Sequence, residues 1–158
     1  MPLVSQYIDV ALNNYFKSIM DSMKKMIQVG ISSTVNIQID ITKTISFMGK
    51  GLNVYATPII VSDIEYACRD LLLTQLPANQ DSVGTFVKIE HIAAGLLNSE
   101  VKINVKISKL IGRKVLFAAT VKDKIEIIAK GQHTRFVVDK NIMKNRLHTK
   151  IKKYKNLA

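Results

Sequence analysis

Residues 55–68 read YATPIIVSDIEYAC, and they open the one segment of the chain patterned as a buried helix. Thr57 is suited to cap a helix, and Pro58 to enter its first turn, where a missing N–H costs nothing. From there Ile60, Ile64, Ala67 and Leu71 recur at helical spacing, and Val61, Cys68 and Leu72 widen the stripe. A helix this apolar on one side has to be covered by other elements. It stops near Leu76-Pro77. A carboxylate, Glu65, sits in the middle of it. Among Ile64, Ala67 and Cys68 such a charge is costly unless it is paired or put to work.

On either side the period changes to two. Upstream, Val35, Ile37, Ile39 and Ile41 alternate with Asn36, Gln38, Asp40 and Thr42, and Ile45 and Phe47 keep the parity. That predicts one long half-buried strand, ended by MGKG at 48–51. Downstream, Val83 to His91, Val101 to Leu110, Lys114 to Lys122 and Ile125 to Val138 read as strands, with IGR (111–113) and KDK (122–124) as short turns. Residues 5–28 place Ile8, Leu12, Tyr15, Ile19, Met23 and Met26 at helical spacing and predict an amphipathic helix. The order predicts an α+β fold: a long antiparallel sheet wrapped around a central helix, with an extra N-terminal helix. One sheet face would then need cover, which predicts a homodimer or higher assembly.

The totals narrow the class. With 158 residues, 47% hydrophobic and 22% charged, the chain is sized for one domain with its own core. Cys68 is the only cysteine, so no disulfide within the chain and no thiolate cluster can form. No His, Cys or Asp group has metal-ligand spacing, so neither a metal nor a cofactor is expected. No apolar run reaches the roughly 20 residues of a membrane span. The N-terminal stretch carries Asp9 and Asp21 and no signal-peptide pattern, so a cytoplasmic protein without membrane contact is expected. The net charge of +11 is uneven: residues 1–100 hold 7 Lys/Arg and 9 Asp/Glu, residues 101–158 hold 16 and 3. The tail KNIMKNRLHTKIKKYKN (140–156) has seven Lys/Arg and no acid. It reads as a solvated end or as a basic edge that attracts anions. Nucleic acid is the less favoured partner, because Tyr154 alone interrupts the tail where base stacking needs several aromatics.

Four stretches carry a resemblance: VYATPIIVSDIEYAC (54–68), SVGTFVKIEH (82–91), GRKVLFAATVKD (112–123) and GQHTRFVVD (131–139). From about Val29 to Asp139 the chain resembles the hotdog-fold acyl-CoA thioesterases of the fluoroacetyl-CoA thioesterase type. The resemblance implies a hotdog domain over 29–139, a helical extension over 1–28 and a basic tail over 140–158. It implies a catalytic trio of Thr57, Glu65 eight positions on, and His91 twenty-six beyond that, with Gly84 at the substrate and oxyanion position. The implied activity is thioester hydrolysis of a short- or medium-chain acyl-CoA, with CoA as part of the substrate. A non-catalytic acyl-CoA-binding sensor of the same fold is the alternative. The chain departs from the family pattern after His91, where IAAGLLNSE (92–100) lacks a proline, and around 48–52, which lacks the aromatic lid. Specificity for fluoroacetyl-CoA is therefore not carried over.

Each residue also has a plainer reading. Thr57 serves as a helix cap, Glu65 pairs with Arg69 four residues on, and His91 is a satisfied core side chain. His133 and Arg135 share one face of the last strand, where a CoA phosphate contact, a dimer interface and a structural role are all open. Cys68 reads as a small core hydrophobe.

Overall fold

The computed structural model describes residues 12–19 and 27–157. Residues 12–19 form helix α1, with Leu12, Tyr15 and Phe16 exposed and Ile19 packed against the core. The rest of the expected N-terminal helix, with Ile8, Met23 and Met26, lies outside the described residues.

Strand β1 (Ser32–Gln38) keeps the predicted alternation, but the long strand ends there. Ile39 turns fully inward. Asp40 then accepts from the Thr42 N–H at 2.8 Å and opens a 3-10 turn over Ile41–Lys43. An aspartate that bonds its own backbone two residues on offers the chain a turn in place of a ladder. The remainder is a two-stranded pair, β2 (Thr44–Ile45) with β3 (Val54–Tyr55).

Helix α2 (Thr57–Leu73) follows, then β4 (Gln80–His91), β5 (Glu100–Ile111), β6 (Lys114–Lys122), β7 (Ile127–Asp139) and α3 (Lys140–Lys155). The large sheet runs β1-β5-β6-β7-β4, antiparallel at every pairing, so β1 and β4 are its edges. This is the hotdog arrangement. The buried stripe of α2 is Ile60, Ile64, Ala67, Cys68, Leu71 and Leu72. It shares one core with Val101, Ile103, Val105 and Ile107 of β5 and with Val115, Phe117, Ala119 and Val121 of β6. Replacing the fully buried Leu72 with alanine is expected to cost about 2–5 kcal/mol in urea unfolding; a loss below about 1 kcal/mol contradicts this packing.

One expectation changes. The outer sheet face exposes Lys102, Asn104, Lys106, Ala118, Lys130 and Gln132, so it does not require an apolar cover. The unpaired feature is an edge instead: β4 presents twelve residues with no neighbour beyond it among the described residues. The basic tail is a regular helix: Asp139 caps α3 by accepting from the N–H groups of Asn141 and Ile142, and no side chain of α3 is buried.

Candidate active site

One flank of α2 runs antiparallel to β4 and meets it at three levels. At the far end Arg69 forks onto Asp81, with Nε to Oδ1 at 3.0 Å and Nη2 to Oδ2 at 2.6 Å. That hydrogen bond holds the Asp81 carboxyl below the usual carboxylate range. Arg69 is thus engaged across the seam, and Glu65 is not its partner.

At the middle level Glu65 faces Gly84. A Cβ built on Gly84 would stand 2.5 Å from Glu65 Oε1 and 3.1 Å from His133 Cε1, so glycine keeps this space clear. Glu65 Oε1 accepts from Arg135 Nη1 at 3.2 Å. Arg135 is 3% exposed while the Glu65 side chain remains 43% exposed, so the cation is deep and the carboxylate looks outward. Ser82 completes the cluster, its hydroxyl accepting from Arg135 Nε at 2.7 Å and its carbonyl from Nη2 at 2.8 Å. His133 is also buried and reaches Arg135 Nη1 through Nε2 at 3.2 Å. His133 and Arg135 therefore stand behind Glu65 and not on a surface where a phosphate would meet them. Their strand explains why. The inward positions of β7 are Ala129, Gly131, His133, Arg135 and Val137, small or polar at all but the last, where β6 carries Val115, Phe117, Ala119 and Val121.

At the near level Thr57 Oγ1 lies 2.7 Å from His91 Nδ1. Ala56, not Thr57, is the cap residue of α2, and no side chain caps the helix. Thr57 is its first helical residue, so its hydroxyl is spent on the imidazole. His91 reaches α2 because β4 slips register between Gly84 and Phe86. The bulge leaves Thr85 without a partner and switches parity, so Ser82 and Gly84, then Val87, Ile89 and His91, face inward. Unbroken alternation would put Val83 and Thr85 on the side of His91; the bulge removes them from it, and His91 still faces the helix.

The seam thus joins Thr57 with His91, and Glu65 with Gly84, Arg135, His133 and Ser82. Among the described residues no hydrogen bond links the two groups. Eight residues of α2 place Thr57 and Glu65 about 12 Å apart along its axis, on neighbouring faces. Thr57 and Gly84 are exposed and His91 is half-buried, so the seam is open along the β4 edge. An accessible carboxylate and a hydroxyl-imidazole pair along one open seam have the makings of nucleophilic or general acid-base chemistry.

Two groups near the seam do other work. Burial pushes the Cys68 thiol up to about 12. Cys68 is therefore expected to stay unmodified by a thiol reagent in the native protein and to react once urea unfolds it; labelling of native protein at the unfolded rate contradicts this. A cluster that the sequence reading did not single out anchors the entry to α2. Tyr55, fully buried, donates to Asp63 Oδ2 at 2.5 Å, and Lys43 Nζ bonds both Asp63 oxygens at 2.8 Å. These contacts tie the small β2–β3 pair to the helix start where Thr57 sits.

Residues 39–141 match the family described as fluoroacetyl-CoA-specific thioesterase. The fluoroacetyl-CoA thioesterase of Streptantibioticus cattleyicolor is 27% identical over 85 residues, 54% of this chain and 61% of that protein, so less than two thirds of the relative's length is matched. A solved structure of the fluoroacetyl-CoA thioesterase superposes with a TM-score of 0.72 at 22% identity, covering 78% of this chain and 97% of that one. A thioesterase superfamily member from Thermus thermophilus gives 0.76 at 20% identity, covering 82% and 97%. A hot-dog-like protein from Thermanaerovibrio acidaminovorans gives 0.75 at 19% identity, covering 81% and 96%. These structural likenesses show a shared fold, and the family match takes in α2, β4 and β7 whole, with every residue of the seam; the chain belongs to the fluoroacetyl-CoA-specific thioesterase family.

Proposed function

We propose that the protein hydrolyses a short- or medium-chain acyl-CoA thioester to the free acid and CoA. The observation that carries this reading is Glu65, an outward-facing carboxylate with one oxygen held by a buried arginine, on the helix that begins with the Thr57–His91 pair. Glu65 attacks the thioester carbonyl carbon or takes a proton from a water that does so. The Thr57 hydroxyl, bonded to His91, orients or attacks, and His91 passes a proton toward the departing sulfur. Overall, water adds across the C–S bond, the acyl group leaves as an acid, and the thiolate of CoA gains a proton.

The first turn of α2 has few donors for the developing oxyanion. Pro58 has no N–H, and those of Ile59 and Ile60 both bond to the Ala56 carbonyl at 2.9 Å. In this reading the oxyanion is held by the Thr57 N–H and by the β4 backbone around Gly84, where the missing side chain allows close approach. The seven Lys/Arg of 140–156 draw the phosphates of CoA toward the protein.

A second copy completes the site. The free edge of β4 exposes Phe86 (53%) and Val87 (42%), and an unpaired edge of this length is a template for another strand. Pairing of β4 with β4 covers the open side of the seam and excludes water from it. Sedimentation equilibrium is expected to give twice the 17.7 kDa chain mass; a monomer at micromolar concentration contradicts the pairing.

The test of function is a panel of acyl-CoA substrates of increasing chain length, with released CoA read by a thiol reagent. Turnover that peaks at a short or medium chain is expected. The rival reading, a sensor that binds acyl-CoA through the same fold, is established instead by saturable binding with no CoA released.

A further inference from the structure

His133 has two ring nitrogens in contact with two partners of fixed character. Nδ1 lies 2.9 Å from the carbonyl oxygen of Phe86. A carbonyl only accepts, so Nδ1 carries the proton. Nε2 lies 3.2 Å from Arg135 Nη1, and a guanidinium only donates. Nε2 must therefore present a lone pair. The two contacts together admit a single form of the ring, the neutral Nδ1–H tautomer. A proton on Nε2 would set N–H against N–H beside a permanent cation.

The ring is fixed in place by its neighbours. On the inward face of the sheet it lies between Phe117 of β6 and Val87 of β4. The charged groups around it are Arg135 on its own strand and Glu65 from α2; β4 contributes the Phe86 carbonyl. Burial, with Arg135 adding to it, holds the imidazole below the ordinary histidine range. Arg135 in turn uses all three nitrogens. Nε and Nη2 go to Ser82, while Nη1 serves the Glu65 carbonyl, Glu65 Oε1 and His133 Nε2, each at 3.2 Å except the Ser82 contacts at 2.7 and 2.8 Å. His133, together with the Glu65 carbonyl, thus bears directly on Nη1, the one nitrogen that holds the Glu65 carboxylate.

We propose that His133 is a positioning residue for the thioesterase reaction: its neutral Nδ1–H tautomer orients Arg135 so that Arg135 Nη1 secures Glu65 Oε1 and leaves the second carboxylate oxygen facing the substrate. The proposal rests on the hydrolytic reading given above, and two measurements keep the two apart.

The first is kinetic. His133→Phe keeps the bulk and removes both polar contacts, whereas His133→Gln returns an acceptor near the place of Nε2. His133→Phe is expected to lower kcat by about 10- to 100-fold with little change in KM, because the carboxylate is loosened and the CoA contacts are not. His133→Gln is expected to recover most of that loss. If folded His133→Phe retains kcat within about twofold of wild type, or if the loss falls wholly on KM, the positioning role is overturned. The second measurement needs neither a variant nor activity. In native protein labelled with nitrogen-15 histidine, two-bond correlations are expected to show His133 protonated at Nδ1 and bare at Nε2 at about pH 7.5 and still predominantly so at about pH 6.5, where an ordinary histidine is half charged. An Nε2–H tautomer, or a predominant imidazolium in that range, overturns the proposal even if His133→Phe does not fold. Absence of any turnover by the wild type would sink the hydrolytic reading, while the tautomer spectrum still decides the arrangement of His133.

Discussion

Replacing Glu65 with glutamine is expected to lower kcat on the best acyl-CoA substrate by about 10²- to 10⁴-fold, the range that a positioned proton-transfer group contributes. The amide oxygen can still accept from Arg135 Nη1, as Oε1 does at 3.2 Å, so the variant keeps the cluster and loses only the carboxylate. KM should change little, since the residue acts on the reacting carbonyl and not on the nucleotide end of the substrate. Glu65→Ala is the less informative variant. It strips the counter-charge from a guanidinium that is 3% exposed, although Nη1 keeps the Glu65 carbonyl and His133 Nε2, so its loss of activity would be mixed with loss of stability. Steady-state CoA release, with thermal melts alongside, checks both. A Glu65→Gln enzyme with more than about a tenth of wild-type kcat would remove Glu65 from the chemistry.

The second large effect is expected at Gly84. The methyl of Gly84→Ala would stand 2.5 Å from Glu65 Oε1, closer than non-bonded atoms tolerate. The struck atom is the end of a side chain that is 43% exposed, so the carboxylate can swing aside and the fold is not strained. What it gives up is its bond to Arg135. Activity is expected to fall by about 10²-fold from the misplaced carboxylate, with a melting temperature no lower than that of Glu65→Ala, which loses the same bond. The reverse pattern, a marked drop in melting temperature with kcat preserved, would mean that glycine is needed there for the backbone alone.

Much of this architecture could be read from spacing. The stripe from Ile60 to Leu72 fixes which face of α2 is buried, and the alternation in 101–107 and 115–121 fixes which side of β5 and β6 meets it. The failures share a cause. Asp40 breaks the first strand because its side chain bonds the Thr42 N–H, a local choice that the apolar period cannot register. The bulge at Thr85 reverses parity within β4 while leaving the run of strand-forming residues intact.

At the site, the three residues taken from the family pattern lie along one seam, but their partners could not be read from the chain. Arg69 had two acidic choices, Glu65 on its own helix and Asp81 on the strand. A fork onto Asp81, with contacts at 3.0 and 2.6 Å, outweighs an i,i+4 pair on a helix. Arg135 had no local partner in the sequence. Its role depends on β7 lying beside β4, which brings residues 70 positions apart in sequence together. A signal did exist in the pattern itself: two polar side chains, His133 and Arg135, at inward positions of a strand whose neighbour β6 is apolar on that face.

The central claim is that Glu65 and the Thr57–His91 pair serve one thioester although two turns of helix separate them. It is tested most directly by a double-mutant cycle on kcat/KM with wild type, Thr57→Ala, Glu65→Gln and the double variant. Groups that act on the same carbonyl are strongly non-additive, so the double variant is expected to fall no more than about threefold below the worse single one. Losses that multiply, as for two independent sites, would contradict a single catalytic centre on the seam.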